Sequence, residues 1–317
     1  MPRDTKIDTL KFLLIFLVVL GHLSYHDYGL GINKLIYSFH MPLFVFLSGY
    51  FTKSEQENGV EDHRKKHAKW AVRILLIYLC AQAGHALLTL LLGGSLSWKM
   101  LIYPQLALWY LLCLVYWRVA VWTLFRNTDD RVLFVLSVFL SILSGIVPLN
   151  EELSFQRAFA FFPFFIAGFL FRKLGLMRWL DSVPVWKAIA LSAFCLVAAR
   201  LIPRYYMPKF QYDTFLDFTI RCVQTAVGFV LCLALFRLSR LINLTRLAQW
   251  GAYTLWIYIG HTYLIRLNIP KLLEGRFHIT FNLFEALVLS TVYCGIFILM
   301  AKLYQKLKYK PTRRITH

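Results

Sequence analysis

The chain has 317 residues, 59% of them hydrophobic and 16% charged, with a formal net charge of +19. An apolar share above the ~45–50% usual for soluble domains, with a mean hydropathy of +0.58, points to a bilayer as the solvent. No RNA- or DNA-binding motif accompanies the positive charge, so nucleic acid is set aside as a partner and membrane lipid is the expected surrounding.

The first apolar segment, IDTLKFLLIFLVVLGHLSY over 7–25, is long enough to enter a bilayer. On a helix turning 100° per residue, positions 8, 11, 15, 18 and 22 share one face. Asp8, Lys11 and His22 therefore fall in line, with Lys11 and His22 about 16 Å apart at ~1.5 Å per residue. Ionisable groups at such depth face a bundle interior or a water-filled cavity rather than lipid. Gly21, beside His22, permits close approach of another backbone or a ligand. Basic residues precede this segment as they do in a secretory signal. No small-residue cleavage site follows His22, so the segment reads as a retained helix.

Further spans follow in order, about ten in all, each near the ~17–25 residues a membrane helix needs. They lie at 8–26, 34–52, 70–92, 101–125, 131–148, 157–173, 185–202, 214–236, 251–267 and 282–304. The predicted fold class is an all-α polytopic membrane protein of about ten transmembrane helices, forming a single membrane domain over 1–317. The basic stretch KKHAKWAVR at 65–73 is expected to be an interfacial helix. With the N-terminus inside, the inner segments hold Lys53, Arg64, Lys65, Lys66 and Lys69, then Arg172, Lys173 and Arg178, then Arg237, Arg240 and Arg246. The outer stretch HDYGLGIN has no Lys or Arg, and NEELSFQ is acidic. That bias places both termini in the cytoplasm, although Arg200, Arg204 and Lys209, and Arg266, Lys271 and Arg276, run against it. The six cysteines lie in apolar segments with no C-x-x-C pair and read as small buried hydrophobes rather than metal ligands.

This topology sorts the unusual residues by depth into an inner group (Asp8, Lys11, Arg73) and an outer group (His22, His40, Arg157, His261). A cationic inner mouth suits a phosphorylated ligand; an outer histidine group suits proton transfer. Plainer readings stand beside these. Lys11 and Arg73 also fit interfacial anchors, Arg157 a partner of Glu151 or Glu152, and His261 an interfacial histidine. His85 reads as a hydrogen-bonding residue between helices, and His26 and His278 as solvated loop residues. Tyr25, Tyr28, Tyr37, Tyr205, Tyr206 and Tyr212 fit an interfacial aromatic belt, and they also fit a surface that stacks on sugar rings.

Five segments together carry a family resemblance: IDTLKFLLIFLVVLGH at 7–22, FHMPLFVFLSGYF at 39–51, KKHAKWAVRILLIYL at 65–79, RAFAFFPFFIAGFLFRK at 157–173 and WGAYTLWIYIGH at 250–261. In that order they resemble the acyltransferase-3 family of integral membrane acyltransferases, and within it the fucose 4-O-acetylase-like branch. The resemblance implies ten helices and transfer of an acetyl or other short acyl group from cytoplasmic acyl-CoA to a hydroxyl of a sugar or surface polysaccharide. It also implies a bacterial inner-membrane location and no permanently bound cofactor, the acyl-CoA being a substrate. The family's helix-one pattern is an arginine, ten residues, then histidine; here His22 fits and Lys11 stands at the basic position. Lysine keeps the charge but lacks the planar fork that grips a phosphate bidentately. Arg73 matches the family's helix-three arginine. Some members carry an extra C-terminal hydrolase-like domain, which this chain is expected to lack.

The implied mechanism docks acyl-CoA phosphates near Lys11 and Arg73, with Asp8 beside them. His22 then acts as general base on the acceptor hydroxyl or is itself acylated, and His40, Arg157 or His261 orients the base or stabilises the oxyanion. The competing class is a ten-helix transporter or flippase for a lipid-linked or acidic sugar, which needs intramembrane charges too.

Overall fold

The computed structural model describes residues 4–24, 31–53, 60–147, 152–202, 211–277 and 282–308. In chain order its helices are α1 (Thr5–Leu23), α2 (Ile32–Tyr50), α3 (Val60–Leu91), α4 (Lys99–Ile102), α5 (Trp109–Trp122), α6 (Asp130–Leu143) and α7 (Phe155–Lys173). Then come α8 (Met177–Ser182), α9 (Val185–Leu201), α10 (Phe215–Ser239), α11 (Thr245–Ala248), α12 (Thr254–Arg266), α13 (Ile269–Phe277) and α14 (Leu283–Lys308). The described residues contain no strand. Among the described residues four stretches are long and apolar enough to cross a bilayer: Lys65–Leu91, Glu152–Lys173, Phe215–Ser239 and Leu283–Lys308. Leu75, Leu76 and Leu79 on α3, Val132, Val135 and Phe139 on α6, and Leu299, Met300 and Leu303 on α14 are all exposed. Apolar faces of that extent suit lipid, not water. The chain is an integral membrane protein.

Two sequence expectations change in the structure. The KKHAKWAVR stretch is no separate interfacial helix but the continuous N-terminal part of α3. The expected span at 101–125 is broken between α4 and α5. Pro104 is the reason: it drives the preceding Tyr103 into an extended conformation (φ −93°, ψ 113°), and Leu106 then takes a positive φ of 49°. A helix break leaves backbone groups unpaired, which an apolar surrounding does not tolerate. Gln82 of α3 supplies the missing partners. Its Nε2 donates to the carbonyls of Met100 (2.6 Å) and Tyr103 (2.8 Å), and its Oε1 accepts from the Gln105 N–H (3.1 Å).

The helices fall into two compact units, one formed by α1 with α11–α14 and one by α2–α10. In the first, Asp4 caps α1 by accepting from the N–H groups of Lys6 and Ile7. The α1 helix is then buried on nearly all sides, Leu14, Ile15, Val18 and Val19 almost completely. Gly251 lies on it so closely that a Cβ would strike the Asp8 carbonyl. Phe12 and Trp250 meet edge to face at 5.2 Å, and Gly260 of α12 seats the ring of Phe297 from α14.

In the second unit α2 packs along α7, and glycines set the closeness on both sides. A Cβ on Gly49 would strike the Phe165 carbonyl, and one on Gly168 the Phe46 carbonyl. Small residues that let two backbones approach are a usual basis for helix association in lipid. Phe46, Phe171 and Phe236 close this packing as a triangle of rings 5.6–5.8 Å apart. Before α10, Tyr212 donates its hydroxyl to the Ile142 carbonyl at 2.7 Å, and burial raises the pKa of that hydroxyl. Four of the six cysteines (Cys113, Cys195, Cys232, Cys294) are buried, as small hydrophobes should be; Cys80 is exposed and Cys222 half-buried.

Candidate active site

In the first unit the helix-one stripe is present as read. Asp8, Ile15 and Val18 are buried on it, and Lys11 and His22 are half-buried. Lys11 reaches back one turn to Asp8, Nζ to Oδ1 2.6 Å, so the two charges form one pair near the start of the helix. Burying a charge is tolerable when it is paired, and here each residue supplies the other's partner.

At the far end of α1, His22 meets His261. The ring centroids are 5.5 Å apart and tilted by 43°. His261 is fully buried on α12, and its Nδ1 lies 3.0 Å from the Ile257 carbonyl. A carbonyl only accepts, so Nδ1 carries a proton, and in the neutral ring Nε2 is the lone-pair nitrogen. Tyr258 adds a ring at 5.7 Å. The ring of Phe297 against Gly260 backs this turn of α12. The arrangement is a half-buried imidazole beside a buried one of fixed tautomer. Such a pair can take a proton from a substrate and hold it out of bulk water.

The remaining expected residues belong to the second unit. His40 is buried, with its Nδ1 2.7 Å from the Ile36 carbonyl and Tyr37 edge-on at 4.8 Å. The same argument gives it the Nδ1–H tautomer. Arg157 lies over the indole of Trp109 at 5.3 Å, three residues after the left-handed pair Leu153 and Ser154 (φ 47° and 58°) that precedes α7. Glu152 accepts from the Tyr103 hydroxyl at 3.0 Å. Arg73 is exposed on α3. His85 is fully buried in α3. Tyr37 is packed on His40, and Tyr212 is tied to α6. His26, His278, Glu151, Tyr25, Tyr28, Tyr205 and Tyr206 lie outside the described residues. The structure thus joins Asp8 with Lys11 and His22 with His261; His40, Arg157 and Arg73 belong to α2, α7 and α3.

Ser48 and Tyr110 hydrogen-bond through their hydroxyls. Two arginines escaped the sequence reading. Arg118, in α5, is held between two tryptophans. Arg221, in α10, is 4% exposed and lies over Tyr212. Their only sequence signal was an arginine inside an apolar run.

Polytopic helices with an ion pair on the first helix and a histidine pair between that helix and α12 define a membrane protein built for chemistry or passage within its own body. The particular class comes from comparison: the acyltransferase-3 family model, an acyltransferase domain, matches residues 4–301, and the chain belongs to that family. The match runs through residues of both units. No curated protein and no solved structure matches the chain significantly.

Proposed function

We propose that the protein is a membrane O-acyltransferase that moves an acetyl or other short acyl group from cytoplasmic acyl-CoA to a hydroxyl of a sugar or surface polysaccharide, in a bacterial inner membrane with both termini cytoplasmic. The observation that carries this reading is the His22–His261 pair, in a chain of the acyltransferase-3 family. Family membership also favours transfer over the transporter reading.

His22 takes the proton from the acceptor hydroxyl as its oxygen attacks the thioester carbonyl carbon. The new C–O bond forms, the C–S bond breaks, and the proton passes from His22 to the departing CoA sulfur. His261, its Nδ1 anchored to Ile257, orients the base. The Lys11–Asp8 pair places a cation on the same stripe for the donor.

The test incubates purified protein with acetyl-CoA carrying a labelled acetyl group, without acceptor, and compares wild type with His22→Ala. Slow hydrolysis to free CoA that depends on His22 supports direct transfer with His22 as base. Label bound covalently to wild type and lost in His22→Ala shows instead an acyl-enzyme, and corrects the order of steps. A wild-type protein that neither binds nor cleaves acetyl-CoA, nor a longer acyl-CoA, sinks the donor assignment.

A further inference from the structure

Arg118 lies one turn before the end of α5, and three elements fix its guanidinium. Its Nε–H donates to Thr52 Oγ1 at 3.0 Å, just beyond α2. The Thr52 hydroxyl in turn donates to the Ser48 carbonyl at 2.8 Å, so its lone pair is turned toward the arginine. On α3, the Trp70 ring centroid is 3.9 Å from Arg118 Cζ, and Trp122 of α5 itself stands at 5.7 Å. Trp70 and Trp122 meet at right angles, 5.9 Å apart, and His67 stacks on Trp122 at 3.5 Å.

This differs from a snorkelling anchor. A snorkelling arginine keeps its head loose in water; here one edge of the head is hydrogen-bonded and one face is covered by indole. Among the described residues no carboxylate pairs with Arg118, and its two Nη groups make no hydrogen bond. The Nη edge therefore keeps the two parallel donors that match two oxygens of a phosphate. Arg73 follows Trp70 by one turn of α3 and adds a second, exposed cation.

We propose that Arg118, set between Trp70 and Trp122, binds a phosphate group, and that the nucleotide phosphates of the acyl donor are its ligand. The proposal deepens the acyl-CoA reading above and rests on it. An anionic lipid headgroup offers the same chemistry, and the test separates the two sources.

Full-length protein is placed in nanodiscs of neutral lipid, with or without added phosphatidylglycerol. Wild type, Arg118→Gln and Arg118→Lys are titrated with CoA, and thermal stability is read in each lipid. Arg118→Gln is expected to weaken CoA binding about tenfold or more, and to raise the donor KM while kcat at saturating donor holds. Arg118→Lys restores only part, because the charge returns without the fork. CoA affinity within about twofold of wild type in a folded Arg118→Gln overturns the donor assignment. If that variant does not fold, the Arg118→Lys titration decides by the same comparison. If wild type itself binds no CoA, the acyl-CoA reading fails, and the lipid arm decides for Arg118 alone. Stabilisation by phosphatidylglycerol that disappears in Arg118→Gln keeps the phosphate site with lipid as its source; stabilisation unchanged by the substitution overturns it.

Discussion

Lys11 and Asp8 show how a single residue changes meaning once its partner is known. In the sequence Lys11 stands where the family resemblance implies an arginine, and its role was open between anchor and donor ligand. In the structure it neutralises a buried carboxylate whose side chain is 7% exposed, while Lys11 itself remains 26% exposed. Lys11→Met therefore removes a cation 2.6 Å from a buried carboxylate and should lower stability by about 3 kcal/mol, the lower end of the range for breaking a buried pair. The double variant Asp8→Asn with Lys11→Met should recover most of that loss. Thermal unfolding in detergent checks both; a double variant no more stable than Lys11→Met would mean that the pair is not what holds Asp8. His22 and its stripe were legible because helical periodicity alone places residues 8, 11 and 22 on one face. Its apposition to His261 was not, because 239 positions of sequence separate the two and no local pattern encodes that contact. Arg118 was missed for a related reason: in a run of tryptophan and valine it reads as an interfacial anchor until its neighbours are seen.

The helices themselves were largely legible, since each long apolar run has to satisfy its backbone internally and becomes a helix. The break between α4 and α5 was signalled by Pro104 but masked by continued hydropathy, and its rescue by Gln82 is a long-range contact. The α2–α7 contact rests on two glycines that no periodicity singles out. Gly168→Val puts atoms into the Phe46 carbonyl and should cost about 1–3 kcal/mol or more. Gly295→Ala on α14 meets nothing within 4 Å and should be neutral or slightly stabilising. Unfolding of the two variants side by side is the check. Equal stability would show that α2 and α7 do not pack through these glycines.

At the scale of the whole molecule, composition and hydropathy were enough to expect a helical membrane protein, and exposed apolar residues on α3, α6 and α14 agree. The distribution of the +19 charge is the basis of the proposed orientation. A fluorescent-protein fusion at the C-terminus should fold and fluoresce in the cytoplasm, and a cysteine placed at Thr214, ahead of α10, should react with an impermeant maleimide from outside. Labelling only after the membrane is opened would reverse the orientation and with it the side from which the donor is drawn. How α1 and α11–α14 divide from α2–α10 was not legible, because the boundary falls within a continuous series of similar apolar spans.

The most direct measurement is the rate at which purified protein releases CoA thiol from acetyl-CoA, compared among wild type, His22→Ala and His85→Ala. Both substitutions remove an imidazole from a helix, but only His22 lies on the stripe and against His261. The account predicts that His22→Ala slows release by about 10²–10⁴-fold, the usual contribution of a general base, while a folded His85→Ala stays within a few-fold of wild type. A folded His22→Ala that releases CoA at the wild-type rate would contradict the central claim that His22 carries the acyl transfer.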